Sequence, residues 1–294
     1  MPTRTWPMLR LVFAAPLDDA RRDALLLDVD DCGANALEET DDAIALHFVA
    51  PAERDAAADL LAARGWLTGA TLSTEDVPDE GWAARSQANL PAVRVGRVVV
   101  APPWDLPGAD GATGDVEAAD LVVIQVEPST GFGTGHHQST RLCLHALQTL
   151  SLDGRTVLDI GTGSGVLAVV ANRLGARAAL GIDNDPDAIE SADDTLRRNG
   201  LDAGSGVRME LRALDDQTLV PADVVCANLT GALLRQQGAR VQALIAPGGC
   251  AVLSGFTEDE ARWVREAFDA CELEAEFEEE FWIAYVMRRT ADQA

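Results

Sequence analysis

A glycine-rich turn between a predicted strand and a predicted helix carries the sharpest chemical signal in the chain. Residues 157–165 read VLDIGTGSG. Glycines at Gly161, Gly163 and Gly165 let the backbone approach a ligand closely, and the helix start offers free N–H groups. The third glycine falls one place too early for a dinucleotide fingerprint, which needs glycine where Val166 stands. A P-loop is excluded because no Gly-Lys-Ser/Thr follows, so the turn indicates a different ligand.

Two polar residues follow later strands of the same predicted sheet. Asp183 ends the next strand, 18 residues after Gly165, where an acidic residue accepts hydrogen bonds from a ribose diol. Asp185 directly precedes Pro186 and fits the cap of the following helix, and the alternative for Asp183 is a place in the same solvated turn. Asn228 ends the fourth strand beside the crevice of the sheet, where its amide can accept a hydrogen bond from a substrate amine. The alternative for Asn228 is an ordinary turn residue.

A second glycine-rich stretch precedes a helix that we expect to start after Ser139 and Thr140. Three glycines within five residues predict a mobile loop, and Phe132 gives it one large apolar contact, so the loop can cover a ligand and exclude water. Thr140 lies where a hydroxyl or an N–H can meet a carboxylate. His136 and His137 can position the loop, cap the helix or serve as a general base. A plain flexible linker explains the glycines, but neither Phe132 nor the histidine pair.

The glycine turn and its preceding Asp159 resemble motif I of the class I methyltransferases, which bind S-adenosylmethionine. A longer set of segments closely resembles the methyltransferases that modify ribosomal protein eleven of the large subunit. The segments are PPW (102–104), GFGTGHHQSTRLCL (131–144), VLDIGTGSGVLAV (157–169), GIDNDPDAI (181–189) and VVCANL (224–229). The resemblance is strong over 100–255 and, before residue 76, rests on size and element order alone.

The resemblance implies a set of site residues and a reaction. The residues expected to hold S-adenosylmethionine are Thr140, Gly161, Gly163, Asp183, Asn228 and, from the covering loop, Phe132. Asn228 is also the expected catalytic residue, and no metal is expected. The implied reaction is methyl transfer to amino groups of a protein, either lysine side chains or an N-terminal amine, with ribosomal protein eleven as the first candidate. Gln138 departs from the proline or glutamate common at its position, and the loop over 105–119 is longer than usual.

The order of predicted elements divides the chain into domains. Residues 1–75 follow the βαββαβ order of a small ferredoxin-like α+β domain, to which the resemblance assigns substrate recognition. Residues 76–92 are expected to form a linker. Over 93–294 strands and helices alternate, which predicts an α/β fold: the Rossmann-like, doubly wound sheet of class I methyltransferases. At its start, residues 93–100 are predicted to form one strand.

Composition narrows the functional classes. The chain of 294 residues has 23 Lys and Arg against 48 Asp and Glu, and this formal net charge of −25 opposes nucleic-acid binding. The charge permits a basic partner, such as a basic ribosomal protein, although solubility or a salty habitat alone would explain it. Five scattered cysteines without a CxxC indicate neither a zinc site nor a disulfide framework. No long apolar run and no leader is recognisable, so we expect a cytoplasmic protein without membrane spans.

Three rival functions are considered. A related class I methyltransferase that acts on another protein lysine or on a small molecule would use the same cofactor residues, and residues 1–75 would discriminate between these substrates. A base-flipping nucleic-acid methyltransferase fits less well, because Asn228 is followed by Leu-Thr and not by a Pro-Pro-aromatic clamp. A non-catalytic adaptor would have lost the cofactor, whereas the glycine turn, Asp183 and Asn228 are intact.

Overall fold

The chain forms two compact units, residues 1–88 and 89–294. The computed structural model describes residues 5–14, 25, 36–39, 43–48, 50–66, 69–78, 90–107, 120–128, 135–202 and 204–290.

The N-terminal unit is a four-stranded antiparallel sheet with a packed helix. Its elements are β1 (Thr5–Phe13), β2 (Ala36–Glu39), β3 (Ala43–His47), α1 (Pro51–Ala63) and β4 (Ala70–Pro78). The strand order β2-β3-β1-β4 interleaves the two halves of the chain, as the ferredoxin-like pattern predicts. Apart from the fully buried Leu25, the first predicted helix lies outside the described residues. β4 continues to Pro78, so residues 76–78 of the predicted linker belong to this strand.

Burial explains how these elements hold together. Leu9 and Leu11 alternate along β1 on the covered face of the sheet, and Leu61 from α1 packs into the same core. α1 starts with Pro51, whose missing N–H would have no partner in the first turn anyway. Glu53 accepts a hydrogen bond from the N–H of Ala50 (3.2 Å) and so caps the helix.

A small sheet opens the second unit. It contains β5 (Val93–Val95), β6 (Val98–Ala101) and β7 (Val122–Gln125), with β6 in the centre. The expectation of a single strand over residues 93–100 is wrong. Gly96, at φ +57°, reverses the chain, so that β5 and β6 pair as an antiparallel hairpin. The valines gave no sign of this turn, because they continue on both sides of it, through the half-buried β5 and the buried β6.

A seven-stranded sheet forms the body of the second unit. Its strands are β8 (Thr156–Ile160), β9 (Ala178–Asp183), β10 (Val207–Leu211), β11 (Ala222–Asn228), β12 (Ile245–Thr257), β13 (Cys271–Glu279) and β14 (Trp282–Arg289). The order is β10-β9-β8-β11-β12-β14-β13. β8 to β12 pair in parallel, and β14 is antiparallel to both of its neighbours. The chain winds outward from β8 to β10 and then crosses to β11, which places a topological switch between β8 and β11.

Helices cover both faces of this sheet and confirm the predicted doubly wound α/β fold. They are α2 (Gln138–Thr149), α3 (Val166–Arg173), α4 (Pro186–Arg198), α5 (Gly231–Ala243) and α6 (Glu258–Ala267). Leu144 of α2 and Val169 of α3 belong to one core cluster. Leu234 of α5 and Val264 of α6 belong to a second cluster, against other residues of the sheet. Within the described residues no helix is long and apolar enough to span a membrane.

One edge of the large sheet is strongly acidic. β13 is an edge strand whose side chains alternate between exposed and half-buried. The exposed positions are Glu272, Glu274, Glu276 and Glu278. The half-buried ones include Leu273 and Phe277, which pack against the two core clusters. This edge therefore presents a row of carboxylates while its other face contributes to the core.

The cysteines that the structure describes serve in packing. Cys143, Cys226 and Cys250 are buried, Cys271 is partly buried, and none of the four forms a disulfide. Burial raises the pKa of the Cys250 thiol to about 11, which keeps it protonated and unreactive near neutral pH.

Replacement of Phe256 tests how much the second core cluster contributes to stability. Phe256 is fully buried in β12, and its ring centroid lies 5.2 Å from that of Tyr285. We expect Phe256→Ala to lower the free energy of unfolding by about 3–5 kcal/mol, because it leaves a cavity in a packed core. Chemical denaturation measures this loss. The control is Phe281→Ala, at a 54% exposed ring, which should change stability by about 0.5 kcal/mol or less. Equal losses in the two variants would contradict the assignment of this core.

Candidate functional site

Parallel pairing brings three of the predicted site residues to one edge of the sheet. Ile160, the last residue of β8, pairs with the penultimate residues of both β9 and β11. The residues that follow these pairs are Gly161, Asp183 and Asn228, so all three stand at the same level. Because parallel strands share their carboxyl ends, this level is the edge where a ligand crevice opens in doubly wound sheets.

The glycine turn is tightly packed and leaves no room for side chains. Gly161 has φ +67°, and a Cβ added there would lie 2.5 Å from the side chain of Leu229. Gly165 caps α3 at φ +78°, and a Cβ there would lie 3.1 Å from the Cβ of Ala192. Both left-handed backbone and close contacts therefore demand glycine. The result is a bare backbone cradle directly before the N-terminus of α3.

Asp183 is fixed by the cradle and by the start of the next helix. Its Oδ2 accepts a hydrogen bond from the N–H of Gly163 (3.1 Å), and its Oδ1 accepts one from the N–H of Asp185 (3.1 Å). Each carboxylate oxygen keeps further lone pairs that can accept a hydroxyl. The predicted cap is confirmed, since Asp185 accepts a hydrogen bond from the N–H of Asp187 (2.9 Å) at the start of α4.

The structure also joins Asn228 to Thr140, two predicted residues that are 88 positions apart in the chain. The Nδ2 of Asn228 donates to the Oγ1 of Thr140 over 3.4 Å. Thr140 is only 1% exposed, so its hydroxyl is held inside the first turn of α2. Gly255 lies beside them, and a Cβ there would approach the Oδ1 of Asn228 to 3.0 Å.

The start of α2 corrects one expectation. The helix begins at Gln138 and not after Thr140, and its N-cap is His137, whose Nδ1 accepts a hydrogen bond from the N–H of Ser139 (3.2 Å). Burial, followed by the positive charge of Arg141, lowers the pKa of His137 below its usual value. The ring is therefore neutral near pH 7 and keeps the lone pair that capping needs. Of the roles considered for His137, capping is the one that the structure has.

The predicted covering loop is described only at its end. Phe132 lies outside the described residues, so its role over the cofactor stays a prediction. Gly135, at φ +84°, packs against β6, where a Cβ would lie 3.0 Å from the Cβ of Val100. The next residue, His136, donates from Nε2 to the carbonyl of Pro91 over 2.9 Å. These contacts fix the point from which the loop extends.

A cavity of about 300 Å³ adjoins Gly161 and Asp183. The sequence reasoning missed most of its walls, which come from the turn after β10 and from α5. The missed walls are Arg212, Ala213, Leu214, Asp215, Leu233 and Gln237, and Asn184 and Leu229 line the cavity next to Asp183 and Asn228. One signal was present, because the segment 212–215 directly follows a strand at the same carboxyl edge. The volume is at the lower end of the range for small-molecule sites, and its lining is partly polar and partly apolar.

A buried acid lies beneath the glycine turn. Asp159, in β8, is 1% exposed and its Oδ2 accepts a hydrogen bond from the hydroxyl of Thr162 (2.6 Å). Burial raises its pKa to about 6, against the opposing effect of the hydrogen bonds that it accepts. Because Asp159 accepts a hydrogen bond from Thr162 in the glycine turn, a change in its protonation would alter a contact of that turn.

The sequence matches the family model described as "Ribosomal protein L11 methyltransferase (PrmA)" over residues 18–290. The chain belongs to the ribosomal protein L11 methyltransferase family. The family and the cofactor expected from sequence are confirmed: the protein is an S-adenosylmethionine-dependent methyltransferase.

Individual relatives agree with this placement over most of their length. The ribosomal protein L11 methyltransferase of Deinococcus radiodurans is 35% identical over 262 residues, covering 88% of this chain and 89% of the relative. That of Pseudomonas paraeruginosa is 36% identical over 237 residues, covering 79% and 77%. The crystal structure of a ribosomal protein L11 methylase from Lactobacillus delbrueckii subsp. bulgaricus is similar with a TM-score of 0.60 and 21% identity. It covers 68% of this chain and all of that one, and supports the fold.

The raised pKa of Asp159 gives a pH dependence with a defined sign. A carboxyl with a pKa of about 6 when folded and 3.8 when unfolded favours the native state only while it is protonated. Relative to Asp159→Asn, the wild type should therefore lose about 2 kcal/mol of stability as the pH rises from 4 to 7.

Denaturant unfolding of both proteins at each pH measures this difference, and circular dichroism checks that the variant keeps its fold. A difference that stays constant across the range would show that Asp159 ionises in the native state as easily as in the unfolded chain.

Proposed function

We propose that the protein transfers methyl groups from S-adenosylmethionine to amino groups of ribosomal protein L11, in the cytoplasm. The observation that carries the proposal is the meeting of Gly161, Asp183 and the Asn228–Thr140 pair at one edge of the sheet. Membership of the chain in the L11 methyltransferase family supports the choice of substrate.

The carboxyl edge fits the methyl donor chemically. Gly161 lines the cavity and can present its backbone to a ligand, and the remaining lone pairs of Asp183 can accept hydrogen bonds from ribose hydroxyls. Gly163 is proposed to contact the ligand from the same turn. Thr140 and Asn228 complete the proposed binding set, with Phe132 covering it from the loop. The adjoining cavity, beside Asp183, offers a partly apolar wall for the rest of the nucleoside.

Positioning is the main task of the protein in this reaction. Bound S-adenosylmethionine supplies a methyl group on a sulfonium, whose departure leaves a neutral thioether, so the chain needs no nucleophile of its own. Asn228 is proposed to accept a hydrogen bond from the incoming amine, and the hydroxyl of Thr140 orients its amide by accepting the Nδ2 hydrogen. Holding the two reactants in line is the largest available contribution to the rate.

The amine must lose a proton before it reacts. At a pKa near 10.4, only about one lysine in 10³ is neutral at pH 7. A closed, water-poor site lowers the pKa of an amine, because desolvation disfavours its charged form. We therefore assign the closing of the loop that carries Phe132 two effects: it covers the donor, and it favours the neutral amine.

Charge supports a basic protein as the partner. At a net charge of −25 the chain attracts a lysine-rich protein over several ångströms and repels nucleic acid. We assign recognition of this protein to the N-terminal unit, and we expect no direct contact with nucleic acid. An acidic surface of this kind speeds encounter, and the effect weakens as salt screens it.

Asp183→Asn should weaken S-adenosylmethionine binding by about 10–100-fold, because a charged acceptor for the ribose is lost. Isothermal titration calorimetry measures the Kd. The matched control is Asp185→Asn, two residues away, because asparagine caps a helix as well as aspartate. Equal affinities of the two variants would remove Asp183 from the site.

Asn228→Ala should lower kcat about 100-fold while the melting temperature changes little, since a half-buried amide at a strand end contributes more to alignment than to the core. Purified ribosomal protein L11 and radiolabelled S-adenosylmethionine are the reactants, and mass spectrometry locates the methylated amines. Wild-type turnover by the variant would show that Asn228 has no part in the reaction.

The same radiolabelled assay, run with a host lysate in place of purified L11, decides between the rival substrates. Methylated L11 supports the proposal. Label that enters only another protein or a small molecule would favour a related methyltransferase with a different substrate.

A further inference from the structure

The turn between β13 and β14 lies against the first turn of α2. It consists of Glu280 and Phe281, and Glu280 is the non-glycine residue with positive φ (57°) among the described residues. Because β14 is antiparallel to β12, this turn lies at the same carboxyl edge as Asn228, with Trp282 opposite Thr257. We call the segment Glu279–Trp282 the hairpin tip.

An ionic fork connects the hairpin tip to α2. Nε of Arg141 donates to both carboxylate oxygens of Glu279 (2.9 and 3.1 Å), and its Nη2 bonds to the same carboxylate. The Nη1 of Arg141 donates to the carbonyl of His136, at the end of the predicted covering loop. One guanidinium thus holds together the tip, the first turn of α2 and the loop end. Forked pairs of this kind fix direction as well as distance.

Two neighbouring contacts support the fork. The Nε2 of Gln138 donates to Oε2 of Glu280 over 3.0 Å. The ring of His137 stands edge-on to that of Trp282, with 4.5 Å between centroids. Both residues of α2 precede Thr140 by three positions or fewer, so the contacts act on the same turn that presents the hydroxyl of Thr140.

The same hairpin is also connected to Asn228. The hydroxyl of Ser254 donates to the carbonyl of Ile283 in β14 (2.7 Å), and the carbonyl of Ser254 accepts from the N–H of Leu229 (3.0 Å). Leu229 directly follows Asn228. The hairpin is therefore attached to both partners of the Asn228–Thr140 hydrogen bond, each from its own side.

The hydrogen bond between Asn228 and Thr140 cannot set this geometry alone. At 3.4 Å it is longer than the usual range, and the N–H of Thr140 bonds locally, to the carbonyl of His137 (3.0 Å), which does not fix the helix start relative to β11. We propose that the Arg141–Glu279 pair positions Thr140 against Asn228, so that both charged residues are positioning residues for methyl transfer. The inference rests on the proposed function of Thr140 and Asn228.

The experiment compares Glu279→Gln with Glu274→Gln on the same hairpin. Glu274 makes a similar fork to Arg288, and the two glutamates have the same side-chain exposure of 37%. Both variants remove one negative charge and one ion pair, but only Glu279 faces α2. Kd for S-adenosylmethionine, kcat and KM with L11, and melting temperature are measured for each.

We expect Glu279→Gln to lower kcat about tenfold and to raise the Kd for S-adenosylmethionine severalfold, because small displacements of aligned groups cost rate steeply. Glu274→Gln should keep both values within about twofold while the two melting temperatures fall equally. Arg141→Gln should lower kcat at least as much as Glu279→Gln, because it also loses the bond to the carbonyl of His136, and the double variant should be no worse than Arg141→Gln alone.

A kcat for Glu279→Gln equal to that of Glu274→Gln, or losses that add in the double variant, would overturn the inference. Asn228→Ala in the same assay distinguishes a failure of the positioning role from a failure of the proposed site. If Asn228→Ala lowers turnover while Glu279→Gln does not, only the positioning role falls. If neither does, the proposed site falls with it.

Discussion

The register of β8 with its two parallel neighbours, β9 and β11, determines which residues lie at the carboxyl edge of the sheet. β9 pairs with one side of β8 and β11 with the other, and in both the residue opposite Ile160 is the last but one. A slip of one residue in either ladder would turn each side chain of that strand to the opposite face. Asp183 or Asn228 would then leave the crevice. Residues 157–160 of β8 are buried, and packing of helices on both faces holds this register.

The glycine turn is held in place by hydrogen bonds to the neighbouring strand β9. The N–H of Thr162 donates to the carbonyl of Ile182 in β9 (3.0 Å), and the N–H of Gly163 donates to the carboxylate of Asp183 (3.1 Å). The turn is therefore bound to the neighbouring strand by backbone and side chain together. A ligand that enters the cradle meets groups whose positions were fixed by folding, which reduces the ordering that binding requires.

The sequence was sufficient to predict where the residues that follow strands lie, whereas their roles in binding stay predictions. Gly161, Asp183 and Asn228 each stand where an apolar run ends, and that local signal is sufficient because the parallel sheet aligns the ends. It did not find the hairpin at Gly96, since valines flank the turn on both sides. It placed the start of α2 too late, because histidine is an unusual N-cap.

The sequence contains no comparable signal for contacts between segments that are distant along the chain. Arg141 and Glu279 are 138 positions apart, and neither belongs to a pattern that points to the other. Their meeting depends on the antiparallel return of β14, which places the last hairpin beside a helix that precedes the whole sheet. The walls of the cavity on α5 depend in the same way on the packing of that helix.

The acidic outer face of β13 has a consequence for the behaviour of the protein in concentrated solution. An edge strand offers unpaired backbone groups to any other strand, including that of a second molecule. Here a neighbouring copy in register would bring Glu272, Glu274, Glu276 and Glu278 against the same carboxylates. Like charges directly opposite one another destabilise such a pairing. The row of glutamates therefore disfavours growth of the sheet by edge-to-edge pairing of β13 with a second copy.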